Sequence, residues 1–165
     1  MNRIRDPKRR AALLLLGVVV LAAMFAMVEI QIEGSQGWAA GLPTWRIEQH
    51  WLLDLFWGGR PMTGYHAWVF PFMLLAFHLP PMMLSIWSWR LEARCLGSAM
   101  LFWVVEDGCW FALNPAYGLA SLTPERVIWH KHWWLGWPSD YYLFGLSGLL
   151  LIGLSYRRGS IKTRR

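Results

Sequence analysis

"AALLLLGVVVLAAMFAMV", residues 11–28, runs without a single charged side chain. At about 1.5 Å per residue a helix of this length covers roughly 27 Å, close to the ~30 Å hydrocarbon thickness of a bilayer. Arg3, Arg5, Lys8, Arg9 and Arg10 precede it. A basic start and an apolar run also describe a cleavable signal peptide. This run, however, exceeds the usual apolar core of such a peptide, and no small-x-small site follows it. It reads as a retained membrane anchor.

Three more apolar blocks follow, at about 63–87, 96–113 and 138–156. Hydrophobic residues make up 56% of the 165-residue chain and charged ones 16%, and the apolar residues come in blocks instead of alternating. A soluble core does not need such blocks, whereas membrane spans do. The expected fold is therefore an all-α integral membrane protein, a single domain over 1–165 with four transmembrane helices. Two long Trp-rich segments, 29–62 and 114–137, connect them on one side.

The net charge of +6 raises nucleic acid as a partner, but the basic residues flank the apolar blocks. They read as topology signals and contacts to membrane lipids, so nucleic-acid binding is excluded. With both termini in the cytoplasm, the inward-facing segments hold twelve Lys and Arg and the outer segments four. This bias predicts a multi-pass protein of the cell membrane with both ends cytoplasmic.

Both outer segments carry helix-start signals. Thr44 precedes a run with apolar Trp45, Ile47, Trp51, Leu52, Leu55 and Phe56, closed by Gly58 and Gly59. Thr123-Pro124-Glu125 opens "VIWHKHWWLGWP", closed by Gly136 and Pro138. Each is expected to form an interfacial helix. Ten of the thirteen tryptophans fall in these segments or the adjoining helix ends, while only Trp87 and Trp89 mark the other face. An ordinary aromatic belt populates both faces. The skew predicts an aromatic pocket on the outer side, and Trp110, Trp129 and Trp133 are its candidate ligand- or cofactor-binding residues.

Ionisable groups converge at the same level. Glu29, His66, Glu106, Asp107 and Asp140 all fall in the outer half of the four blocks. A charge in hydrocarbon costs about 2.5–3.5 kcal/mol on insertion scales, so it needs a partner or a function. Glu106 and Asp107 diverge by about 100° on one helix, and each needs its own partner. They are the candidate catalytic residues; Arg60 and Arg126 are the cations available to neutralise them structurally. His66, Glu106, His130 and His132 form the candidate metal set, a donor mix that suits zinc or non-haem iron. On a helix His130 and His132 lie about 200° apart, so only one of them faces inward.

No H-E-x-x-H, E-x-x-H repeat, G-x-S-x-G elbow or C-x-x-C-H occurs. The expected function is an intramembrane metal-dependent enzyme or redox protein with a carboxylate–histidine site. Two alternatives belong to other classes: a module binding or sensing a hydrophobic small-molecule ligand or lipid, and an accessory subunit docked on a membrane-protein partner.

Overall fold

A computed structural model describes residues 6–157. Among them five α-helices and two small hairpins form. Arg3 and Arg5, Arg158, Lys162, Arg164 and Arg165 lie outside the described residues, and with them much of the charge bias at the two ends.

Helix α1, Pro7–Glu33, begins where the Asp6 carboxylate accepts the Lys8 N–H and Pro7 supplies a preset φ. It runs on past the uncharged stretch until Gly34, at φ 64°, ends it. Helix α2, Trp51–Phe56, is a short piece of the first connecting segment. Helix α3, Gly64–Met83, starts at Thr63, whose side chain accepts the His66 N–H, and continues past Pro71, Pro80 and Pro81. Helix α4, Trp89–Leu113, starts under a Ser88 cap; helix α5 covers Ser139–Tyr156. Helices α1 and α4 are long and apolar enough to cross a membrane. The expected blocks thus recur as helices, but α4 begins seven residues before the expected start at Leu96, taking in Arg90, Glu92 and Arg94.

Helix α4 is the centre of the bundle, with α1, α3 and α5 packed around it. Against α5 the two backbones touch. A Cβ on Gly97 would lie 2.8 Å from the Gly148 carbonyl oxygen, and one on Gly148 would lie 2.9 Å from that of Gly97. Only glycine allows this approach. On the other faces of α4, fully buried Phe102 packs with Phe25 of α1 and Phe77 of α3. At the far end from the long segments, His78 joins the Leu74 carbonyl (2.7 Å) to Glu92 (3.1 Å), tying α3 to α4.

The long segments differ from expectation. Residues 44–57 are not one interfacial helix: Arg46–Ile47 (β1) pairs antiparallel with Met62–Thr63 (β2), and α2 starts only at a His50 cap. Strand pairing with β2 competes successfully with the helical pattern there. The Thr123 start also fails to propagate. A single turn forms, with Val127 N–H on the Thr123 carbonyl, and buries Val127 completely. The chain then makes a hairpin of Trp133–Trp134 (β3) and Trp137–Pro138 (β4). Its two turn residues, Leu135 and Gly136, have φ of 47° and 83°, a left-handed pair that suits a two-residue hairpin and stops any helix.

Candidate functional site

Glu29 and Glu33 lie four residues apart on α1 and therefore share a face. Both are buried. Glu33 accepts the backbone N–H of Ala39, because the chain reverses after Gly34 and folds back over the helix end. Trp38 and Ala39 hold left-handed φ values of 46° and 53°, a strained geometry that costs about 1–3 kcal/mol per residue. Four contacts retain it: the Glu33 bond, the Trp38 indole N–H donated to the Pro61 carbonyl at 2.8 Å, and the Arg46 guanidinium donating to the Trp38 and Ala39 carbonyls at 3.3 Å each. The reversal lays the Trp38 ring flat on His66, with centroids 3.9 Å apart.

His66 sits in the first turn of α3, and its Nδ1 lies 2.7 Å from the Thr63 hydroxyl. With Nδ1–H donated to Thr63, Nε2 carries the free lone pair, the arrangement found behind metal-ligating imidazoles. One donor atom from each of Glu29, Glu33 and His66 lies within 4.8 Å of the others. Metal–oxygen and metal–nitrogen bonds of about 2.0–2.2 Å require them slightly closer, a closure within reach of carboxylate rotamers. Glu106 of α4 faces Glu29 from the opposite side. It is 3% exposed, and its Oε1 has no hydrogen-bond partner among the described residues. Three carboxyls and an imidazole thus converge from three helices.

Asp107 turns the other way. Its Oδ2 accepts from the Tyr141 hydroxyl and lies 3.6 Å from the Arg60 guanidinium and 3.2 Å from His130 Nε2. Arg60 makes its closest ion pair with Asp140, at 2.6 Å, and its Nε–H donates to His130 Nδ1 at 3.1 Å. That bond places the imidazole proton on Nε2, toward Asp107. This half of the site gathers two acids, one guanidinium, one imidazole and one phenol around Arg60. Of the two cations available to the acidic pair, Arg60 takes the role; Arg126 lies over the Tyr117 ring instead.

The four residues of the expected metal set are therefore not brought together. His66 and Glu106 flank Glu29, whereas both ring nitrogens of His130 face Arg60 and Asp107. His132 projects away, its side chain 52% exposed and 3.5 Å from Asp54. Because residues 127–138 form turns and a hairpin, helical spacing does not decide which histidine faces inward. Among the three tryptophans, Trp110 and Trp129 line the cleft above these groups, while Trp133 donates its indole N–H to the His130 carbonyl at 2.7 Å. Glu33, Trp38 and Arg60 complete the site. The Glu29-x-x-x-Glu33 spacing was the available signal for Glu33, hidden by ending the first block at Val28.

The cleft runs from the acidic cluster to an aromatic end formed by Trp57, Phe70, Trp103 and Phe144. The arrangement offers a hard, oxygen-rich ligand set at one end, an ion-paired cluster around Arg60 beside it and apolar walls beyond. Comparisons of the chain with protein-family models, curated proteins and solved structures find no match.

Proposed function

We propose that the protein is a four-span membrane protein, with α1, α3, α4 and α5 crossing the bilayer, and that it is an intramembrane metal-dependent enzyme or redox protein. The spans are supported by the outward faces of these helices. Leu13, Leu16, Val20 and Met24 on α1, Phe72 and Leu75 on α3, and Leu146 and Leu150 on α5 are all exposed, a surface that water disfavours and lipid accepts. With both termini in the cytoplasm, the cleft opens in the outer half.

The observation that carries the metal reading is the buried convergence of Glu29, Glu33 and His66, faced by the unpartnered Glu106. Buried carboxylates without a cation repel one another, and a divalent ion relieves that cost. Three carboxylates with one imidazole suit non-haem iron or zinc. Such an ion supplies Lewis acidity or redox chemistry to an oxygen bound beside it. The chain's own residues hold that ion, exclude water with Trp38, Trp110 and Trp129, and keep a proton relay of Tyr141, Asp107 and His130 alongside.

Metal analysis of detergent-purified full-length protein, prepared without chelators, tests this reading. Wild type is expected to carry bound iron or zinc, and Glu33→Gln and His66→Ala to lose it, while His132→Ala keeps it. A metal-free wild type that also fails to take up added Fe(II) or Zn(II) overturns the proposal. The aromatic end of the cleft favours a second reading, a hydrophobic-ligand module, which a co-purified ligand on metal-free protein would establish.

A further inference from the structure

The cleft has a direction. Its polar end is built on α1, α3 and α4, and its aromatic end lies where α3 and α5 flank α4. These two helices pack on α4 rather than on each other. Trp57 bridges the resulting groove, its ring 4.5 Å from Phe70 of α3 and 6.2 Å from Phe144 of α5. Along it Phe70, Trp103 and Phe144 are themselves only half-buried, and Leu143 of α5, next to Phe144, is 52% exposed. The groove is thus not sealed by protein along its length, and on the four-span reading its side between α3 and α5 faces lipid.

Charge limits what the polar end accepts. The lining holds five carboxylates (Glu29, Glu33, Glu106, Asp107 and Asp140) against one guanidinium, Arg60. Arg60 is already engaged by Asp107 and Asp140, so the lining offers an anionic head no free Lys or Arg. A phosphate or carboxylate head would be repelled at short range in a medium where screening by water is weak. The cleft also contains an unsatisfied donor. The indole N–H of Trp110, a residue 3% exposed, has no acceptor among the described residues. A buried N–H without a partner costs about 1–3 kcal/mol, which an occupant's oxygen would recover.

We infer that the site takes a bilayer-derived amphiphile with an uncharged oxygen head (a long-chain alcohol, aldehyde or ester) and a single hydrocarbon chain, entering sideways between α3 and α5. The oxygen sits by Trp110 and the acidic cluster, and the chain lies along Phe70, Trp103 and Phe144. Trp57 closes the groove behind it. The inference deepens the metal reading and rests on it for what the polar end does to the bound oxygen.

Photoaffinity labelling of the detergent-solubilised full chain with a diazirine-bearing long-chain alcohol, and with the alkyl phosphate of the same chain, tests it. The alcohol is expected to label the groove faces of α3 and α5 and to be displaced by unlabelled hexadecanol. The phosphate is expected to label these faces at least about tenfold less, a difference of ~1.4 kcal/mol. Phe144→Trp, which fills the groove, should cut alcohol labelling several-fold. Equal labelling by the phosphate, or no displacement by hexadecanol on wild type, overturns the inference whether or not the variant folds. Metal content measured on the same samples separates the two readings. Groove labelling on metal-free protein sinks the metal and keeps the amphiphile; metal without groove labelling does the reverse.

Discussion

Glu106 and Asp107 are adjacent in the chain but serve opposite halves of one site. The first faces Glu29 across the acidic cluster, and the second meets Arg60, His130 and Tyr141. The ~100° step between successive helix positions makes one turn of α4 the partition between a ligand cluster and an ion-paired network.

Removing the guanidinium should be the costlier change. Arg60 is the shared partner of Asp107 and Asp140, and Arg60→Ala leaves two carboxylates buried without it. A loss of about 3–5 kcal/mol is expected, as for other broken buried pairs. Thermal unfolding in detergent measures it. An unchanged midpoint would mean that water, not Arg60, compensates the acids.

Added metal should stabilise wild type and not its ligand variants. At a free ion concentration of about 100 times Kd the linkage is worth ~2.7 kcal/mol. Glu29→Gln and Glu33→Gln should abolish the rise in Tm caused by Fe(II) or Zn(II). A shift that survives both substitutions places the ion elsewhere.

Metal occupancy should fall on acidification, because carboxylates and imidazole bind metal only when deprotonated. Equilibrium dialysis across a pH series is the measurement. Occupancy independent of pH down to the range of free carboxylic acids would contradict ligation by Glu29, Glu33 and His66.

Gly148→Ala and Gly153→Ala form an internal control for helix packing. The first pushes a methyl group to 2.9 Å from the Gly97 carbonyl oxygen and should cost about 1–3 kcal/mol. The second meets nothing within 4 Å and should stay within about 0.5 kcal/mol of wild type. Equal effects would show that α4 and α5 separate freely.

Topology is open to thiol labelling in a background lacking Cys95 and Cys109. Exposed Ser35 and Ala120, replaced by cysteine, should react from outside intact cells, and exposed Ser88 should not. The reverse pattern would turn the cleft toward the cytoplasm.

The long helices were legible in the sequence because apolar blocks of that length admit little else. Residues 138–156 became Ser139–Tyr156, and 63–87 became Gly64–Met83. The connecting segments were not legible, since their structure depends on partners distant in the chain. Arg46 pairs with Thr63, and Leu135 accepts a left-handed φ that no local signal announces. For the same reason Glu106 and Asp107 stood out as unpartnered acids, while their partitioning did not. That required Glu33, one turn beyond the expected end of the first helix, and a chain reversal at Gly34 that carries Trp38 onto His66.

Thr63 joins these levels. It is the strand partner of Arg46, the cap of α3 and the residue that holds His66 Nδ1. The aim of the imidazole is therefore registered by pairing with Arg46–Ile47, a two-residue strand far upstream in the chain, much as a jig holds a workpiece. Thr63→Val would keep the β-branched shape and the ladder while freeing the ring to rotate. Alignment of a buried side chain has thereby been delegated in part to the exposed two-residue strand β1, outside the helices altogether.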